Sequence, residues 1–137
     1  MPRLFAYGSL RCPDIMHRVA GLCDRLGPAT LDGYRCMRVR DEEYPAIVQC
    51  VAHTTDGLVY ENVSIPALAR LDDFEGEMYS RTKVTVRLES GLEIETFTYI
   101  IQPEFHHCLT DDDWQFERFL AHGKDRFVAR YVGFSTL

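Results

Sequence analysis

The sequence predicts an α+β fold in which a small mixed sheet or barrel carries its helices on the outside. Three observations lead there. Apolar and polar residues alternate strictly from Arg81 to Glu89. Several further short apolar runs lie between turn-forming residues. Helical spacing is confined to one short internal segment and to the end of the chain.

Taken in order, Leu4-Phe5-Ala6-Tyr7 is an apolar run stopped by Gly8-Ser9, which reads as a buried strand entering a tight loop. Residues 12–22 hold a helical turn. Tyr34 to Arg40 and Ala46 to His53 read as two strands around the loop Arg40 to Pro45, and Gly57 to Val63 as a third. Ser64 to Phe74 is a short helix, with Ser64 as N-cap, Pro66 in the first turn and Gly76 at the left-handed C-terminal position. Thr82, Val84, Val86 and Leu88 form the inward face of a half-buried strand, and Ser90-Gly91 turns it into a partner from Glu93 to Ile101. Thr110 with Asp113 has the form of a capping box, so the last helix is expected over about 111–132. Phe116, Phe119, Leu120, Phe127 and Tyr131 follow its apolar stripe.

The chain has 137 residues, 46% apolar and 26% charged, with no repeat or linker, which suits one domain over 1–137. A net charge of −6 argues against a nucleic-acid partner and against an anionic membrane surface. The N-terminal apolar run is too short for a signal peptide or a membrane span. The five cysteines are odd in number and form no C-x-x-C pair, the pattern of reduced thiols in a cytoplasmic protein. His106-His107-Cys108 lies beside Pro103 in an expected loop, where adjacent histidines diverge, so no metal is expected. No local pattern links a cysteine to a histidine as a nucleophilic pair.

Glu75 is the most informative residue. It lies four residues beyond Leu71 and seven beyond Leu68, inside the inward stripe that Ile65 flanks. Burial and the negative end of the helix dipole would both raise its pKa toward the range of a general base. If the helix ends a turn earlier, Glu75 is instead a solvated loop residue. Tyr7-Gly8-Ser9-Leu10 is either a nest of backbone N–H groups suited to an anion or an ordinary turn. Tyr79 and Tyr99 line a pocket or fill the core, and Tyr44-Pro45-Ala46 is a pocket rim or a plain loop entry. Asp72-Asp73 reads as a solvated acidic surface.

Together these segments resemble a known family, the γ-glutamylcyclotransferase-like proteins. Phe5-Ala6-Tyr7-Gly8-Ser9-Leu10 resembles the family's Y-G-[ST]-L strand and loop. Tyr44-Pro45-Ala46 resembles its Y-P-A element, and Gly57-Leu58-Val59-Tyr60 its G-x-V-Y strand. Leu71 to Gly76 with Tyr79-Ser80-Arg81 matches L-D-x-F-E-G…Y-x-R, and Phe97-Thr98-Tyr99 matches F-x-Y. The motifs keep the family's order across residues 4–101, and the aromatic tail is similar to the avirulence-induced-gene branch.

The resemblance implies a small β-barrel with flanking helices, with a pocket between the Tyr7–Leu10 loop and Glu75. It implies no metal and no organic cofactor. Glu75 is then the general base. Tyr7, Gly8, Ser9, Leu10, Tyr44, Tyr79 and Tyr99 are the substrate-binding residues. The implied reaction releases 5-oxoproline from a γ-glutamyl amide, the substrate's own α-amino group attacking its γ-carbonyl. A module that binds a small metabolite in the same pocket without turning it over is the competing expectation, and a hydrolase yielding open-chain glutamate is a second.

Overall fold

The computed structural model describes residues 2–132. Five strands close into a mixed barrel: β1 (Leu4–Ala6), β2 (Asp24–Val39), β3 (Pro45–Glu61), β4 (Tyr79–Leu88) and β5 (Glu93–Ile101). Their order is β3-β1-β5-β4-β2, and β2 pairs back onto β3 to close the ring. All neighbours run antiparallel except β1 and β5, which pair in parallel through Leu4 and Phe97. A short sixth strand, β6 (Leu109–Asp113), is added to β2 outside the ring.

Alternation along the strands divides the core in two. Phe5, Tyr7, Leu31, Ile47, Val59 and Val86 join a cluster to which no helix contributes, and it fills the barrel. Leu4 and Ala6 point the other way, into a second cluster shared with α1 (Pro13–Ala20) and α2 (Ile65–Glu75). The central strand β1 is therefore buried on both faces. Inside, Thr98 Oγ1 donates to Phe5 O at 2.9 Å and Thr55 Oγ1 donates to Tyr34 O at 3.0 Å, so these polar groups have partners.

Several expectations are corrected. The strands expected at Ala46–His53 and Gly57–Val63 are one strand of 17 residues, and its partner β2 begins at Asp24, not Tyr34. Register shifts at Arg25/Gly27 and Asp32/Tyr34 bend the pair, and Ala52 takes φ 70°. Those bulges and the solvated face of residues 51–54 break the apolar alternation that marks a strand.

The last helix does not begin at 111. Residues 109–113 are β6, whose Asp113 meets Arg35 Nε at 2.6 Å while Arg35 Nη2 donates to Asp111 O at 2.7 Å. Thr110 Oγ1 accepts from Asp112 N at 3.2 Å and caps nothing. Helix begins at Phe116 and alternates α-turns (Phe116–Arg118, Lys124–Phe127) with wider π-turns (Phe119–Gly123, Val128–Val132). The wider turns change the phase of the stripe. Phe119 and Phe127 are buried, whereas Leu120 is exposed. Finally, residues 103–108 form a 3₁₀ helix instead of an extended loop, which brings Cys108 Sγ to 3.6 Å from His107 Nε2.

The internal helix has the expected caps, Ser64 and Gly76, and runs one residue past Phe74 to Glu75. Ser64 Oγ accepts from Ala67 N at 3.2 Å, and Gly76 takes φ 76° while its N–H closes on Asp72 O at 3.0 Å. Leu68 and Leu71 face inward, but Ile65 is 70% exposed. Ser64→Ala is expected to lower stability by about 1 kcal/mol, read as a shift in the denaturation midpoint at constant slope. No helix among the described residues is long and apolar enough to cross a membrane.

Candidate functional site

Glu75 is the last residue of α2, so its helical phase applies and the solvated-loop alternative does not. One turn on from the fully buried Leu71, its carboxyl enters a hollow bounded on the far side by the loop after β1. Tyr7, Gly8, Ser9 and Leu10 form one wall, Tyr44 and Pro45 a second, and Tyr79 and Tyr99 a third. Tyr7, Gly8, Ser9, Leu10, Tyr44, Tyr79 and Tyr99 therefore all line one hollow with Glu75, whereas Ala46 does not. The hollow is narrow, about 30 Å³ in itself, and opens to solvent through a wider mouth.

The residue is half-buried, because it faces this space rather than packed side chains. Burial pushes its carboxyl up to about 8. A free carboxyl in this hollow is thus mostly protonated at neutral pH.

The loop opposite is a single 3₁₀ turn, Ser9–Arg11. Arg11 N–H closes on Gly8 O and Cys12 N–H on Ser9 O, both at 3.0 Å. The N–H groups of Ser9 and Leu10 open the turn and have no partner within it. Both residues line the hollow. Gly8 leaves no space for a side chain: a Cβ would lie 2.9 Å from Cγ and Cδ of Pro45.

Hydroxyl groups brace this wall. Tyr79 Oη donates to Pro45 O at 2.7 Å, Tyr60 Oη to Leu10 O at 2.7 Å, and Tyr7 Oη to Tyr99 O at 2.6 Å. Tyr7 and Tyr79 therefore present ring surface to the hollow while their hydroxyls hold the backbone. Burial, reinforced by neighbours that include Glu75, keeps both phenols well above their ordinary pKa. Burial also raises Tyr44 and Tyr99.

Asp72 is not the solvated residue that was expected. Tyr99 Oη donates to its Oδ1 at 2.6 Å, and Arg81 Nε lies 3.1 Å from the same oxygen. One turn before Glu75, this group ties α2 to β4 and β5 and fixes the helix end that presents Glu75. Sequence reasoning missed it because nothing local shows that β5 passes beside the helix. It also missed Phe74, Met78, Phe127 and Tyr131, which line a second hollow opening on Glu75. The aromatic stripe of the last helix was the available signal. Among the described residues, no group of three or more His, Cys, Asp or Glu side chains could hold a metal ion.

Comparison with known proteins agrees with this geometry. AIG2-like protein C of Arabidopsis thaliana is 28% identical over 130 residues, covering 91% of this chain and 73% of the relative. A solution structure of an Arabidopsis thaliana protein is 26% identical, with a TM-score of 0.70 over 93% of this chain and 86% of that one. A solved gamma-glutamyl cyclotransferase shares the fold at 18% identity, with a TM-score of 0.64 over 76% of this chain and 73% of that one. Residues 4–116 match the family described as gamma-glutamyl cyclotransferase, AIG2-like, and the chain belongs to that family.

Proposed function

We propose that this protein is a γ-glutamyl cyclotransferase that converts a γ-glutamyl amide into 5-oxoproline and a free amine, with Glu75 as general base. One observation carries the reading: a carboxyl raised to about 8 shares a hollow with the N–H donors of Ser9 and Leu10. Membership of the cyclotransferase family supports it.

The reaction needs no protein nucleophile. The substrate's α-nitrogen attacks its own γ-carbonyl carbon, a C–N bond closes the lactam, and the original amide C–N bond breaks. Folding the flexible glutamyl chain so that these atoms meet is the main task, and such positioning is worth up to about 7–11 kcal/mol. The rings of Tyr7, Tyr44, Tyr79 and Tyr99 supply rigid walls for that fold. The α-ammonium must lose a proton before it attacks. Ionised Glu75 accepts that proton and returns it to the departing nitrogen. The loop N–H groups hold the substrate's α-carboxylate or steady the oxyanion.

A base with a raised pKa gives a particular pH profile. In the free enzyme kcat/KM should fall about tenfold per unit as pH drops below about 8, because only the ionised carboxyl can take the proton. In the complex the adjacent α-ammonium favours the ionised form, so the acid limb of kcat should lie at lower pH than that of kcat/KM. Steady-state rates from pH 5 to 9 check this, and an acid limb of kcat/KM near 4–5 contradicts it. Incubation with a panel of γ-glutamyl compounds, assayed for 5-oxoproline, tests the reaction itself. Binding without product would assign the hollow to a metabolite-binding module, and open-chain glutamate would indicate hydrolysis.

A further inference from the structure

We infer that the second hollow is the subsite for the departing amine, and that it selects γ-glutamyl amides whose amine is apolar or aromatic and carries no carboxylate. The inference rests on the cyclotransferase reading above. Both hollows share Ser9, Tyr44, Glu75 and Tyr79. A substrate whose glutamyl half lies in the mouth of the inner hollow, with its γ-carbonyl at Glu75, would send its nitrogen substituent past these shared residues into the outer one. The outer hollow offers about 140 Å³ behind an open mouth, room for a single ring.

The rest of its lining is Phe74, Met78, Phe127 and Tyr131. The rings meet edge to face or tilted: Tyr44 and Phe127 at 6.4 Å, Phe127 and Tyr131 at 5.1 Å. An apolar substituent would leave water for an aromatic wall. A carboxylate would find the opposite. Among the described lining residues no Arg, Lys or His occurs, and the one acidic group is Glu75. At the rim, the Tyr131 hydroxyl donates to Glu42, and Glu42 also holds Arg130 Nη1 at 3.1 Å. The Arg130 and Glu42 charges are thus paired with each other, and Arg130 is not free to meet a carboxylate, while Glu75, unpaired among the described residues, stands by the path of the substituent. An anionic leaving group would be desolvated there without a partner.

The test uses a matched pair of probes, γ-glutamylbenzylamide and γ-glutamylphenylglycine, which differ by one carboxylate on the same ring-bearing amine. With the full-length protein, kcat/KM for 5-oxoproline release should favour the benzylamide by about tenfold or more. Met78→Lys, which puts a cation into the outer hollow, should close most of that gap by raising turnover of the phenylglycine compound. Equal rates on the two probes, or a preference for the carboxylate, overturns the inference and leaves the cyclotransferase reading standing. So does a Met78→Lys protein in which both rates fall together and the ratio stays put. No 5-oxoproline from either probe, or from the wider panel, overturns the reading and the inference with it.

Discussion

Glu75→Gln is expected to lower 5-oxoproline release by about 10²–10⁴-fold while leaving the fold and ligand binding intact. The amide keeps the size of the carboxyl, so the walls of the hollow need not move. What it loses is the ability to take a proton from the α-ammonium. The same substitution should change stability in the opposite direction, and the sign follows from linkage. The native carboxyl, at about 8, holds its proton more tightly than an unfolded one near 4.5. Between those values the native state binds more protons, so wild-type stability falls as pH rises through that window. Gln carries no ionisable proton and escapes the loss. Allowing for the partial exposure of Glu75, the variant should be more stable than wild type by about 1–3 kcal/mol above pH 8, and the advantage should shrink toward pH 4.5. Rates, circular dichroism and denaturation midpoints on one preparation check all of this. Near-normal turnover would remove Glu75 from the mechanism.

Gly57→Ala should destabilise the barrel by about 3 kcal/mol or more, lowering Tm by roughly 10 °C. A Cβ at Gly57 would lie 2.5 Å from Ala6 O and 2.7 Å from Cε1 and Cζ of Phe5. The first contact is with backbone in a strand buried on both faces, so neither strand can retreat without breaking the β1–β3 ladder of Leu4↔Tyr60, Phe5↔Val59 and Ala6↔Leu58. Because β1 leads directly into the Gly8–Leu10 loop, activity should fall further than the unfolded fraction accounts for. Gly91→Ala, at a turn where a Cβ meets nothing within 4 Å but φ is 90°, serves as a milder control. Thermal melts of the two variants separate close packing from backbone strain.

The parts of this molecule that were legible in the sequence are those whose signals are local. The helix ending at Glu75 announces itself through Ser64, Pro66 and Gly76, and its phase alone turns Glu75 inward beside Leu68 and Leu71. The alternation of Thr82, Val84, Val86 and Leu88 marks β4 because one face is buried and the other solvated. What stayed hidden depends on distant parts of the chain. The start of β2 is polar, contains Gly27-Pro28, and becomes strand only because β3 pairs along it. Asp111 to Asp113 carry the charge pattern of a helix start, but Arg35, far away in sequence, draws them to the edge of the sheet. In the site, the residues were readable but their tasks were not. Tyr79 reads as a pocket or core aromatic and Tyr7 as the start of the loop, and only the fold puts their hydroxyls on Pro45 O and Tyr99 O. Asp72 looks like surface until Tyr99 and Arg81 are found on it.

Direct titration of the Glu75 carboxyl is the most searching measurement. Carbon-13 labelling of glutamate side chains, with Glu75→Gln to identify the resonance, follows this one group through pH. A midpoint near 8 is expected, falling when a non-reactive γ-glutamyl analogue brings its ammonium into the hollow. A midpoint in the ordinary carboxylate range near 4.5, unmoved by the analogue, would show a solvated acid with no proton to hold or return, and would contradict the account.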